Sequence, residues 1–247
     1  MNEKKQVMAA ILNNIKIDNQ TKAEQLFALL LNSNCPPDPG PILKMVSWMI
    51  DTYDGALCRH SPLPALTHSL SVMQLVATHG SEYGCLNLDT ICSALGHDLL
   101  DDDELLDKKK ISYEEIGYKF GRNVAYVIVS LSDHNKKLDH DSQFQYLNTW
   151  RTRKAMYLRG MEERLTQPWA QSMLVIACAD KVDNCQRLTW EAKQYQKNIW
   201  NKAVSPKDWL WYYQLSIDFF NKHLGGHLSS LLTEDYKKMV KVFKLIK

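Results

Sequence analysis

The residues best suited to chemistry in this 247-residue chain are one histidine and a packet of acids. His97, Asp98, Asp101 and Asp102 sit in the otherwise apolar run Ser93-Ala94-Leu95-Gly96-His97-Asp98-Leu99-Leu100-Asp101-Asp102-Asp103. The apolar periodicity predicts a helix over about 89–102. Residues four apart on a helix share a face, so Asp101 falls beside His97 and Asp102 beside Asp98, and one imidazole and three carboxylates gather in one space. A divalent cation is the natural occupant. Two further residues of ligand type lie in apolar stretches: His68 in Thr67-His68-Ser69-Leu70, and Asp180 in Ala177-Cys178-Ala179-Asp180-Lys181. Two imidazoles and two carboxylates with no thiolate suit Mn²⁺, with Fe²⁺, Zn²⁺, Ni²⁺ or Co²⁺ as other occupants. Positions left open would admit water and a phosphate oxygen, making the ion a Lewis acid at phosphorus and an activator of water.

The elements that must carry these residues are helical. Periodicity near 3.6 runs through almost every segment, strand-like alternation is scarce, and the expected fold class is all-α. Asn34-Cys35-Pro36-Pro37-Asp38-Pro39-Gly40-Pro41 breaks the chain. It divides an N-terminal helical extension, 1–40, from one multi-helix domain, 41–247. Helices are expected at about 42–54, 66–79, 112–120, 122–132 and 169–190, with a basic helix around Arg151, Arg153 and Lys154. Ser112 with Glu115 reads as a capping box. Ser205-Pro206 opens a helix that stops at Gly225-Gly226, and a last helix is expected from near Thr233.

Composition excludes more than it assigns. A formal charge of +2 and 23% charged residues give no electrostatic case for nucleic acid or a membrane surface. No apolar run reaches the roughly 18 residues of a membrane span, and the apolar stretch Val7 to Leu12 is short for an export signal. Six cysteines without a close C-x-x-C pair read as reduced core thiols, so a cytoplasmic location is expected. Homo-oligomerisation is left open.

Taken in order, the motifs resemble the HD superfamily of metal-dependent phosphohydrolases. They are closest to the (p)ppGpp hydrolase domain of RelA/SpoT-type proteins and to small alarmone hydrolases. His97-Asp98-Leu99-Leu100-Asp101-Asp102 is similar to the family's H-D-x-x-E-D. Tyr113 to Val124, with Phe120-Gly121-Arg122-Asn123-Val124, resembles its acidic helix and F-G-x-x-V segment, and Leu174 to Asn184 its V-K-L-A-D-[KR]-x-x-N segment. The resemblance implies His68, His97, Asp98 and Asp180 as Mn²⁺ ligands. It implies Asp101 and Asp102 as the pair that orients and deprotonates the attacking water. Asp101 departs from the family's Glu and is one methylene shorter. The implied reaction is release of pyrophosphate from the 3′-pyrophosphate of guanosine tetra- or pentaphosphate or a related nucleotide.

Substrate contacts are less sharply marked. Arg59 and His60 stand roughly where the family has a basic pair against the base, Asn184 shares a helix face with Asp180, and Lys181 adjoins it. Lys136, Lys137, Arg151 and Arg153 could meet the distal phosphates. Arg151, Arg153 and Lys154 serve equally as a solvated helix face, and the aromatics from Trp209 to Phe220 as core packing. His223 and His227 are read as non-ligands because Gly225-Gly226 separates them. Two rival functions remain: another HD nucleotide phosphatase or phosphodiesterase, acting on an adenosine alarmone, NADPH or a deoxynucleotide, and a catalytically weakened protein that binds a nucleotide or a partner.

Overall fold

The computed structural model describes residues 40–53, 65–101, 111–132, 143–195 and 204–245, and among these every regular element is helical. The chain divides into two compact units, Met1–Val129 and Ser130–Lys247. The proposed extension before Gly40 lies outside the described residues.

In the first unit, α1 (Gly40–Thr52), α2 (Leu66–His79) and α3 (Leu88–Leu95) build the core, followed by α4 (Tyr113–Phe120) and α5 (Arg122–Leu131). α1 buries Ile42, Met45, Val46 and Met49, positions three and four apart, against α3. α2 and α3 form a tight antiparallel pair, because the link between them is fixed by its own hydrogen bonds. A 3-10 turn, Gly80–Tyr83, ends at Gly84 in the left-handed region (φ 65°). Asn87 then caps α3 by accepting from the Thr90 amide at 2.9 Å, while the Thr90 hydroxyl donates back to the Cys85 carbonyl at 2.6 Å. The expected cap of α4 is present: the Ser112 hydroxyl accepts from the Glu115 amide at 3.1 Å.

The second unit contains α6 (Gln143–Glu163), α7 (Ala170–Tyr195), α8 (Pro206–His223) and α9 (Gly226–Leu245). α7 is buried almost all round from Met173 to Asp183 and packs against α8 and α9. Ser205 caps α8 through the Asp208 amide at 3.2 Å, with Pro206 in the first turn.

Two expected boundaries differ. The site helix, predicted over about 89–102, stops at Leu95 and passes into consecutive turns through Asp101. The reason is Gly96. A Cβ there would stand 2.9 Å from both Ile128 Cδ1 and Leu99 Cδ1, so the chain turns where it can lie closest to α5. The last helix begins at Gly226 rather than near Thr233. Gly225 and Gly226, both at positive φ, end α8 with a Gly225 amide to Phe220 carbonyl bond of 2.9 Å. The chain re-enters a helix at once because Leu228, Leu232, Asp235, Met239 and Phe243 already repeat at helical spacing on its buried face.

Candidate metal centre

The antiparallel α2–α3 pair has a simple consequence for the site. His68 lies in the first turn of α2 and His97 just past the end of α3, so the two imidazoles meet at the same end of the pair. Their Nε2 atoms are 3.1 Å apart, with the rings edge to face at 4.9 Å between centroids. Asp98 Oδ2 lies 3.4 Å from His68 Nε2 and 3.3 Å from His97 Nε2.

His97 is 3% exposed, and its Nδ1 is 2.9 Å from the Ala94 carbonyl oxygen. A carbonyl only accepts, so Nδ1 carries the proton. In the neutral ring Nε2 is then the bare nitrogen, turned toward His68 and Asp98. Burial works against the Asp98 carboxylate, but when the imidazoles are protonated the charge of His97 and hydrogen bonds from His68 and His97 outweigh it and hold its pKa well below the usual carboxylate range. Its side chain keeps 37% exposure, an open side from which solvent reaches the cluster.

The three donor atoms fit a divalent cation. Ligands at about 2.0–2.2 Å from one ion, subtending roughly 90–110°, stand about 3.0–3.5 Å from each other, and the three separations here are 3.1, 3.3 and 3.4 Å. Metal-bound histidines commonly donate their other ring nitrogen to a carbonyl, as His97 does, which fixes the tautomer and the direction of the ligand atom. The cluster can hold a metal, and nothing in the donor set singles out which one.

The sequence-predicted residues fall into three groups. His68, His97 and Asp98 are brought together. Asp101 follows in the turn, half-buried, its amide donating to the Asp98 carbonyl at 2.9 Å; it stands three residues on from Asp98 in a turn, not four on from His97 along a helix. Asp180, Lys181 and Asn184 form a cluster of their own in α7 of the second unit. There Lys181 Nζ donates to one Asp180 carboxylate oxygen and Asn184 Nδ2 to the other. Asn184, expected against substrate, thus holds the expected ligand carboxylate. Asp102, Arg59, His60, Lys136 and Lys137 lie outside the described residues.

The two arginines of α6 that the sequence put forward for phosphate, Arg151 and Arg153, have protein environments. Arg151 Nε donates to Asp208 Oδ1 at 2.6 Å, and its guanidinium lies 5.1 Å over the Trp211 ring, tying α6 to α8. Arg153 is buried at 3% exposure. His223 contacts Glu162 at 3.3 Å and packs on Phe219. The four described cysteines, Cys85, Cys92, Cys178 and Cys185, are buried free thiols, and burial pushes Cys85 up to about 11 and Cys185 to about 12. No described helix is long and apolar enough to cross a membrane.

Sequence reasoning missed the Ala94 carbonyl, which no side-chain pattern marks. Set against models of known protein families the chain matches none, and no curated protein matches it either.

Proposed function

We propose that this chain is a divalent-metal-dependent phosphohydrolase of the HD kind, acting on the 3′-pyrophosphate of (p)ppGpp or a related nucleotide with Mn²⁺ as the preferred metal. The observation that carries the metal-dependent part is the near-equilateral triangle of His68 Nε2, His97 Nε2 and Asp98 Oδ2, with one corner oriented by a backbone carbonyl. The order and spacing of the sequence motifs support the choice of substrate.

When bound, the ion would polarise a phosphate oxygen and lower the pKa of a water. His68 and His97 would hold it as neutral ligands, and Asp98 would lower the cluster's charge while facing the open side. Asp180 enters this reading only through the family resemblance, which implies it as a ligand; within α7 its carboxylate accepts from Lys181 and Asn184. Asp101 and Asp102 would accept the proton of the attacking water.

The test is purified protein with Mn²⁺ or with EDTA, given 3′-pyrophosphorylated guanosine and adenosine nucleotides, NADPH and deoxynucleotides. Mn²⁺-dependent release of pyrophosphate from the guanosine compounds is expected. Asp98→Ala should lower it by about 100-fold or more, since losing even a hydrogen-bond partner of a metal ligand costs up to that factor. Release from another member of the panel would move the substrate within the same chemistry. No release from any of them, with Mn²⁺ bound, would overturn the hydrolase reading in favour of a nucleotide- or partner-binding protein, the reading to which the shortened Asp101 also points.

A further inference from the structure

We propose that the outward faces of α4 and α5 are the interface through which two copies of this chain pair about a two-fold axis. Two rows of side chains carry it. On α4, Glu114 and Tyr118 stand four residues apart and share one face, both exposed, while Ile116 is the residue the helix buries. On α5, Arg122 and Tyr126 repeat the arrangement, again four apart and exposed. Tyr113 joins the rows: its ring lies 5.8 Å from that of Tyr126, and the charges of Glu114 and Arg122 both reach its phenol.

Exposure is the first observation. Tyr118 is 93% exposed and Tyr126 42%. A lone exposed ring is ordinary on a protein surface. Three tyrosines grouped with an arginine are not, because these are the residue types on which the binding energy of interfaces concentrates: a rigid ring covers a large area while losing little freedom.

The second observation is charge, and it selects the occupant. One row carries a carboxylate and the other a guanidinium, each beside a tyrosine. The neighbouring ion pair, Lys119 with Glu115, uses neither of them. Glu114 accepts from the Ser112 hydroxyl, which steadies the carboxylate without neutralising it. A two-fold interface must complement itself, since both copies present the same surface. A patch of one sign would repel its own copy, whereas this one attracts it. With the axis beside the Tyr113–Tyr126 pair, the α4 row of each copy faces the α5 row of the other. Glu114 then meets Arg122 of the second copy, and Tyr118 lies against the same guanidinium, ring to cation. Each contact is made twice. A wholly acidic partner would instead oppose Glu114, and a wholly basic one Arg122.

The experiment is sedimentation velocity of the full chain in EDTA from about 1 to 200 µM, the range in which a small interface assembles. A monomer–dimer equilibrium is expected. Tyr118→Ser should weaken it about tenfold or more, since its contact occurs twice per dimer. Glu114→Arg and Arg122→Glu each set like charges opposite one another, and each should leave monomer. Mixed in equal amounts, these two variants should dimerise again, because a chain with two arginines then faces a chain with two glutamates. The double variant Glu114→Arg/Arg122→Glu should dimerise on its own. Rescue on mixing is a result that general loss of stability cannot produce, and its failure overturns the two-fold pairing. Far-ultraviolet circular dichroism checks folding, and if the charge variants fail to fold, Tyr118→Ser, at an almost fully exposed position, decides alone. A wild-type monomer across the whole range leaves the face to some other partner and overturns the proposal. A dimer that none of these variants weakens places the interface elsewhere and overturns it too. Association is read without metal or substrate, so neither the dimer nor the hydrolase reading falls with the other.

Discussion

The two nitrogens of His97 have different work: Nδ1 fixes the ring by donating to Ala94, and Nε2 is thereby presented bare to His68 and Asp98. Without an ion, one proton shared between the facing Nε2 atoms would hold the same pair, so metal affinity separates a ligand set from a hydrogen-bonded trio. His97→Gln and His68→Gln should each weaken Mn²⁺ binding in calorimetry by about 100-fold, and binding unchanged in both variants would leave only the trio. Asp101 invites a second substitution. It is one methylene shorter than the family's Glu, and its amide is anchored to the Asp98 carbonyl. Asp101→Glu should keep or raise the Mn²⁺-dependent rate if reach is the only deficit; a steep fall would mean that the turn has repositioned the backbone to suit Asp. At this scale the sequence marks the residue types well, because imidazoles and carboxylates in apolar surroundings stand out. It does not mark Ala94, whose contribution is a main-chain oxygen available to any residue at that position.

Helix starts are easier to read than helix ends. Ser112 and Ser205 cap α4 and α8 as their side chains predict, since a hydroxyl before a helical run has one obvious backbone partner. Gly96 carries no such local mark within its apolar run, and its role depends on Ile128 and Leu99, both fully buried. The end of α3 is thus a packing decision made by distant residues. Gly96→Ala should lower unfolding free energy by about 1–3 kcal/mol, the usual cost of overfilling a packed core, as measured in a urea titration. It should also weaken Mn²⁺ binding, because the displaced turn carries His97 and Asp98. Loss of stability with unchanged metal affinity would show that the turn holds its shape independently of α5. Gly225-Gly226 misleads for the opposite reason: a strong local stop suggests a long gap, although the apolar repeat beginning at Leu228 resumes at once.

Across the whole molecule, periodicity alone makes the all-α class legible, because each long helix must bury a face and writes that requirement into its spacing. The division into two units is not legible at its boundary, since α5 reaches Leu131 across the step from Val129 to Ser130, and the polar run that could mark a division begins only at Ser132, after the helix has crossed it. Net stability also depends on how each charged group is treated on folding, and two carboxylates of the second unit predict opposite pH responses. Asp208 is held below its ordinary pKa, chiefly by the Ser205 hydrogen bond and then by Arg151, against partial burial. Its contribution is therefore complete above the ordinary carboxylate range and is lost as pH falls through the lowered value. Glu191 is raised by burial, which outweighs the attraction of Arg187. Its charged form opposes folding, so its contribution is complete below the ordinary glutamate value and is lost as pH rises through the raised one. Thermal unfolding from pH 3 to pH 8 should accordingly show Asp208→Asn with a lower Tm than wild type at neutral pH and a difference that shrinks on acidification. Glu191→Gln should melt higher than wild type at pH 7 and lose that advantage toward pH 4. A lower Tm for Glu191→Gln at pH 7 would mean that attraction to Arg187, and not burial, governs that carboxylate.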